Sequence, residues 1–357
     1  MDIRTFIKKW LPYHIVAKRY DSDAFIQEYK KWLASNQKEI DTTSRYGTIV
    51  SVQGFGFSGS GAVVDLLREY GECQVLGGID DDSIDQSIGT KFGEFDYIRH
   101  SGGFYDIERH LGYNNIFVND GLINRYIKMV FKSGIYTNFP ESRSIFYNFL
   151  NSISELSLLN LSNRYYNANL YLHDKKSSIF FLKNMTIGEY RRLCKDTLNA
   201  LFGCFYQKGK TVLVADQMCC DLEFDIDRDK SYFDNLKTII VYRDPRDVYY
   251  YAVTKNVEWI AHDSVEAFIE WYNIILRKFE EIKSKDALLI RFEDLITKYE
   301  KTVSAIEDYV GVNKHIAKNK NLDPSRSIKN VGIWKKSNLN PSDFETIKRE
   351  LPSLCCE

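Results

Sequence analysis

Between residues 22 and 40, Phe25, Ile26, Tyr29, Trp32 and Leu33 recur at helical spacing with charges between them, which predicts an N-terminal helical segment. The pattern then changes. Thr48-Ile49-Val50-Ser51-Val52 is a short β-rich run, the glycines Gly54, Gly56, Gly59 and Gly61 follow, and Ala62-Val63-Val64-Asp65-Leu66-Leu67 resumes a helical period. The expected order is strand, glycine loop, helix. Cys73-Gln74-Val75-Leu76 predicts a second strand, ahead of an acidic loop at Asp80, Asp81 and Asp82. From about 105 to 205 the pattern is mainly amphipathic-helical and rich in aromatics, interrupted near 160–176, and reads as an insertion between sheet strands. Thr211-Val212-Leu213-Val214-Ala215, Thr238-Ile239-Ile240-Val241-Tyr242 and Ala287-Leu288-Leu289-Ile290-Arg291 are apolar runs suited to parallel strands buried on both faces. Helix-length segments such as 265–282 separate them, so the alternation argues for a doubly wound α/β domain. The domain expectation is a helical appendage over 1–45 and an α/β domain over 46–357.

Composition narrows the class. The 357 residues hold 48 Lys+Arg against 49 Asp+Glu, 44% hydrophobic residues and only 6 prolines, which excludes a disordered or collagen-like chain. A net charge of −1 gives no generic attraction to nucleic acid, so any anion pocket has to be local. Seven cysteines, including the adjacent pairs Cys219/Cys220 and Cys355/Cys356, show no CxxC pairing and no zinc-type His spacing; reduced thiols and no metal are expected. Charges interrupt every apolar run before it reaches spanning length, and no secretory leader pattern follows Met1, so a cytoplasmic protein without a transmembrane segment is expected. Residues 6–20 combine Lys8, Lys9, Trp10, Leu11 and Lys18 with Pro12; a packed surface helix is the expectation, with peripheral membrane contact left open.

Gly54-Phe55-Gly56-Phe57-Ser58-Gly59-Ser60-Gly61 lies at the strand-to-helix junction, where backbone N–H groups and the positive end of a helix dipole converge on an anion. A nucleoside-triphosphate loop would carry Lys and then Ser/Thr after the last glycine; Ser60 and Gly61 stand there, which leaves an anion cradle without the kinase groups. A tight turn that needs glycine for backbone reasons alone is the competing reading. Downstream, Tyr242-Arg243-Asp244-Pro245-Arg246-Asp247 places a guanidinium at the C-terminal end of a buried strand, where open α/β sheets bind ligands and where arginine grips phosphate in two-pronged fashion. A strand exit with an internal salt bridge is the alternative.

Together these motifs resemble the sulfotransferases that use 3′-phosphoadenosine 5′-phosphosulfate (PAPS). Leu289-Ile290-Arg291-Phe292-Glu293-Asp294-Leu295 is similar to that family's strand-and-turn motif, Asn330-Val331-Gly332-Ile333-Trp334-Lys335 to its late G-x-W-K loop, and Lys91-Phe92-Gly93-Glu94-Phe95-Asp96 falls where many members carry an acid facing the acceptor. The matches run in family order over about 48–350. The resemblance implies a P-loop-like three-layer α/β fold with a central mostly parallel sheet, a large helical insertion and an N-terminal helical appendage. It implies transfer of a sulfuryl group from PAPS to a hydroxyl or amine of a carbohydrate or small-molecule acceptor. The cofactor would be held by Gly56, Phe57, Ser58, Gly59, Ser60 and Gly61 at the 5′ end and by Arg243 and Tyr251 at the 3′-phosphate. Arg326, Lys329, Trp334 and Lys335 would close over it. Glu94 is the first expectation for the base, with Asp216 and His100 in reserve. The chain departs from the family where Phe57 stands in place of Lys or Arg and Tyr251 in place of serine. The Phe57 departure motivates an alternative, a sulfotransferase-like nucleotide-binding or scaffold protein without turnover; a P-loop kinase is a further one. The insertion, with Tyr165, Tyr166, Tyr171, Phe180 and Phe181, is expected either to bind acceptor or to be aromatic core.

Overall fold

The structure, a computed structural model, describes residues 22–35, 37–76, 96–99, 102–113, 116–159, 177–219, 225–282 and 286–356. These form two compact units, one from 22–43 and 96–205, the other from 44–76 and 206–356.

In the second unit the apolar runs become strands: four are largely buried on both faces, whereas Ala287–Arg291, at the edge of the sheet, buries Ile290 and leaves its other residues half-buried. The strands are β1 (Thr48–Gly54), β2 (Cys73–Leu76), β3 (Val212–Asp216), β4 (Leu236–Tyr242) and β5 (Ala287–Arg291). They make a five-stranded sheet in the order β2-β3-β1-β4-β5, and every neighbouring pair is parallel. This is the parallel α/β sheet that the alternation predicted. β1 lies at the centre, with Val52 opposite Asp216 of β3 and Ile239 of β4, and Gly54 opposite Val241. The chain passes from β3 to β4 across β1, so the order reverses there, and a crevice forms outside the C-terminal strand ends at such a reversal.

Helices cover both faces. The helix α1 (Ser60–Leu67) buries Val63, Val64, Leu66 and Leu67 in a core with Val50, Val52, Val214, Val241, Leu295 and Ile306. The other face is covered by α2 (Pro245–Lys255), α3 (Val265–Ile282) and, further along the chain, Pro341–Glu350, through Val248, Ala252, Phe268, Tyr272, Phe344 and Ile347 packed with Ile240. Residues 292–310 form two short helices, Phe292–Thr297 and Tyr299–Val310; the second ends at Gly311, whose φ of 85° is the left-handed cap that glycine adopts without penalty.

The first unit is built on aromatic packing. Its helix Ser22–Leu33 stops well short of residue 40, and buries Phe25 and Tyr29 against Tyr147, with ring centroids 5.3 and 5.8 Å apart. Phe104, Tyr126, Phe149 and Tyr190 fill the centre, where Tyr190 donates to the Phe104 carbonyl at 3.0 Å. The segment is not helical throughout: Ser154–Leu159 and Ser177–Leu182 pair antiparallel. The alternation in these strands is short and flanked by helical periods, which is why the pattern hid them. Phe180 is buried against Tyr29, so it is core, whereas Tyr165, Tyr166 and Tyr171 lie outside the described residues.

Candidate anion site at the glycine loop

The loop starts where β1 runs out of partners. Gly54 has to be glycine, because a methyl group there would lie 2.0 Å from Ser58 Oγ and 3.1 Å from the Val241 carbonyl. Ser58 is buried beneath the turn. Phe57 and Gly59 both take positive φ, 57° and 92°, which folds the chain back on itself before α1 begins at Ser60. Gly59 is further fixed by the Phe292 ring, which a Cβ would meet at 2.4 Å. This folding turns successive N–H groups toward one side. Among the described residues none accepts from the amides of Phe57, Ser58, Gly59, Ser60 or Gly61, whereas Ala62 N–H already bonds to the Gly59 carbonyl. Unmatched amides at a helix start are anion donors. Gln217, next to Asp216, donates from Nε2 to Ser60 Oγ at 3.0 Å and so links the end of β3 to the start of α1.

Arg243 follows β4 directly and is 4% exposed. Its Nη1 donates to the Phe57 carbonyl at 3.3 Å, so the guanidinium and the glycine loop meet at the C-terminal ends of adjacent strands. Its Nη2 donates to Asp247 Oδ2 at 3.1 Å and to the Asn330 carbonyl. The guanidinium lies between two aromatic faces, 4.7 Å from the Phe292 centroid and 5.3 Å from that of Tyr251. Nε is buried without an acceptor among the described residues.

Asp247, which the motif reading passed over, holds the late loop. One turn of α2 beyond Arg243, its carboxylate accepts from Gly332 N–H at 2.9 Å and Trp334 N–H at 3.1 Å as well as from Arg243. Burial pushes the Asp247 carboxyl above the ordinary aspartate range, and the Arg243 charge and the two amides oppose that shift. Asp244 caps α2 through the Arg246 amide and takes both Nε and Nη2 of Arg246, at 3.0 and 2.7 Å. Arg246 then stacks on Trp334, 4.2 Å from the ring centroid. Glu293 accepts from the Asp244 amide at 3.0 Å and from Arg291 Nε at 3.3 Å, and burial raises its carboxyl. The backbone near the C-terminus joins this network, as Cys356 N–H donates to Asp244 at 2.7 Å and its carbonyl accepts from Arg246. An i, i+4 Arg/Asp pair at a helix start was the signal in the sequence for Asp247.

The remaining residues named from the sequence divide. Tyr251 offers its ring, stacked on Phe57 with centroids 5.1 Å apart and 23° between planes. Phe57 thus rests on α2 beside the apolar core. Trp334 is half-buried against Phe344, and Lys335 Nζ lies 5.8 Å above the Trp334 ring. Arg326 is exposed and pairs with Asp323 at 3.0 Å, and Lys329 is exposed on the turn before the late loop. Asp216 is the last residue of β3, half-buried, in register with Val52. Glu94 and His100 lie outside the described residues. A separate open groove of about 820 Å³, lined by Glu266, Glu270, Arg277 and Arg349 among others, shares no residue with the loop or Arg243. Among the described residues no His/Cys/Asp/Glu group is placed to hold a metal, and no helix is long and apolar enough to cross a membrane.

No family model and no curated protein matches the chain. Among the solved structures similar to it are sulfotransferases. The sulfotransferase domain of a Synechococcus olefin synthase aligns over 89% of this chain and 98% of its own, at 14% identity and a TM-score of 0.39. The sulfotransferase domain from the curacin biosynthetic pathway covers 87% and 99%, at 12% and 0.40. A sulfotransferase of Mycobacterium avium covers 94% and 81%, at 11% and 0.35. At such identities and TM-scores the chemistry has to be read from this chain's own residues.

Proposed function

We propose that the protein is a PAPS-dependent sulfotransferase that acts on a hydroxyl or amine of a carbohydrate or small-molecule acceptor. The observation that carries this reading is the contact of Arg243 with the Phe57 carbonyl, which brings a buried cation to a loop of unmatched amides at the switch point of a parallel sheet. The donor set suits a phosphorylated nucleotide: amides of 57–61 for one anionic group, and positive charge from Arg243 behind them. When bound, PAPS supplies the activated sulfuryl group.

The chain's own residues orient and neutralise. The amides at the start of α1 fix the anion in line with the helix dipole, and the Phe57/Tyr251 stack gives that side of the loop an aromatic wall. Asp247 holds the Gly332 and Trp334 amides, and Trp334 and Lys335 close the late loop next to Arg246. A base would take the acceptor's proton as its oxygen or nitrogen bonds to sulfur and the bond from sulfur to the phosphate oxygen breaks, with adenosine 3′,5′-bisphosphate as the leaving group; Glu94 is the first candidate, then Asp216 and His100. Positioning and electrostatics supply most of the rate in such loose transfers.

Calorimetry with adenosine 3′,5′-bisphosphate tests the reading. Saturable binding that is lost in Arg243→Ala and spared in Glu94→Ala is expected, with a thermal melt of each variant separating lost binding from lost fold. No binding by the wild-type protein would refute it. A second reading, nucleotide binding without turnover, is favoured by the engagement of Arg243 with three protein acceptors and by the uncharged side chain at 57. Transfer of labelled sulfate from PAPS to a glycan panel decides between the two. Mg²⁺-dependent ATP turnover would instead point to a kinase.

A further inference from the structure

Trp259 lies four residues beyond the end of α2 and is 67% exposed, the second most exposed large hydrophobic side chain among the described residues. Its position is fixed even so. The adjacent Ile260 is 1% exposed and packs beneath Gly56: a methyl at Gly56 would meet Ile260 Cδ1 at 2.6 Å and Trp259 Nε1 at 3.0 Å. His262 secures the turn, with Nδ1 at 2.7 Å from the Ile260 carbonyl and Nε2 at 3.2 Å from Asn256 Oδ1. The indole edge is therefore held on the anion loop while most of its surface faces solvent. The glycine at 56 is what lets it approach so closely.

We infer that Trp259 is a docking platform for the ring of the acceptor, a neutral sugar or aromatic ring with an apolar face. The inference rests on the sulfotransferase reading for the word acceptor, and on the loop geometry for the rest. A ring laid on the exposed indole gains aromatic contact and buries apolar surface of both partners. Phe57, the residue after Gly56, stacks on Tyr251, and Tyr250 lies edge-on to Tyr251 at 5.3 Å. These groups bring no formal charge, so they suit an uncharged ring rather than a second phosphate. Phe57 and Tyr251 are already stacked on each other, which leaves Trp259 as the open face. Its place at Gly56, ahead of the amides of 57–61, puts a docked ring next to the anion that those amides hold.

The test uses the full chain as wild type, Trp259→Ala and Trp259→Phe, titrated with two probes: adenosine 3′,5′-bisphosphate and 4-nitrophenyl β-galactoside, which carries both ring types. The side chain is exposed, so all three proteins are expected to melt together. Expected is saturable glycoside binding that weakens about tenfold or more in Trp259→Ala and is kept in Trp259→Phe, with nucleotide affinity unchanged in both. Equal glycoside binding by wild type and Trp259→Ala overturns the inference, as does no glycoside binding by the wild type. Loss of nucleotide affinity alone would make Trp259 a purine platform and overturn it too. Trp259-dependent glycoside binding by a wild-type protein that ignores the nucleotide would sink the sulfotransferase reading and leave the ring platform standing.

Discussion

Replacing Asp247 with alanine removes a carboxylate that ties Arg243 to the late loop. The side chain is fully buried and accepts three hydrogen bonds, from Arg243 at 3.1 Å, Gly332 at 2.9 Å and Trp334 at 3.1 Å. Breaking a buried ion pair from one side costs about 3–5 kcal/mol, because the remaining charge stays desolvated. Arg243 keeps the Phe57 and Asn330 carbonyls as acceptors, so the low end of that range applies to the guanidinium. The two amides add little, since the half-exposed loop lets water reach them. A loss of about 3 kcal/mol is therefore expected from urea denaturation of Asp247→Ala. Asp247→Asn keeps the shape and one acceptor oxygen, and is expected to lose about half as much. Freed from Asp247, the loop should open to trypsin at the exposed Lys329, Lys335 and Lys336. A stability loss under about 0.5 kcal/mol in Asp247→Ala, with unchanged protection of those lysines, would refute the claim that this carboxylate organises the site.

Gly59→Ala forces a side chain into a φ of 92° and drives its Cβ to 2.4 Å from the buried Phe292 ring; the two effects cost about 2–5 kcal/mol, measurable as a lower denaturation midpoint, and a neutral result would sink the close-approach account of the loop. Glu189 closes a capping box with Thr186, and the bonds from the Thr186 amide and hydroxyl hold its carboxyl below the ordinary glutamate range. A lowered folded value means that its contribution is complete above the ordinary glutamate pKa and is lost as pH falls through the folded one. Glu189→Gln should erase that slope in pH-dependent melts, and a slope that persists would assign it to other groups. Asp247 and Glu293, both raised by burial, titrate in the opposite sense: their share of stability falls as pH rises from the ordinary carboxylate pKa through the folded value.

Much of the architecture was legible along the chain because its signals are local. Continuous apolar runs announced β3, β4 and β5, helical periods announced the helix Val265–Ile282 to the residue, and the glycine cluster announced a turn between β1 and α1. The strands Ser154–Leu159 and Ser177–Leu182 were not legible, because their stability comes from pairing with each other across the intervening chain rather than from their own pattern. The helix Ser22–Leu33 ended early for the related reason that Leu33 is exposed and the residues after it bury no stripe.

For the site, residue type and order alone determined that a glycine loop, an arginine after a buried strand and a late Gly-x-Trp-Lys segment exist in this chain. Only the tertiary structure decided what they do to one another. Strand order puts β4 beside β1, and this brings Arg243 to the Phe57 carbonyl across nearly two hundred residues. Packing turned Phe57 onto Tyr251 and Arg246 onto Trp334, and made Asp247 the acceptor for three donors. Such contacts follow from which surfaces the sheet and its helices bury together, a property of the whole fold that no local pattern of residues carries.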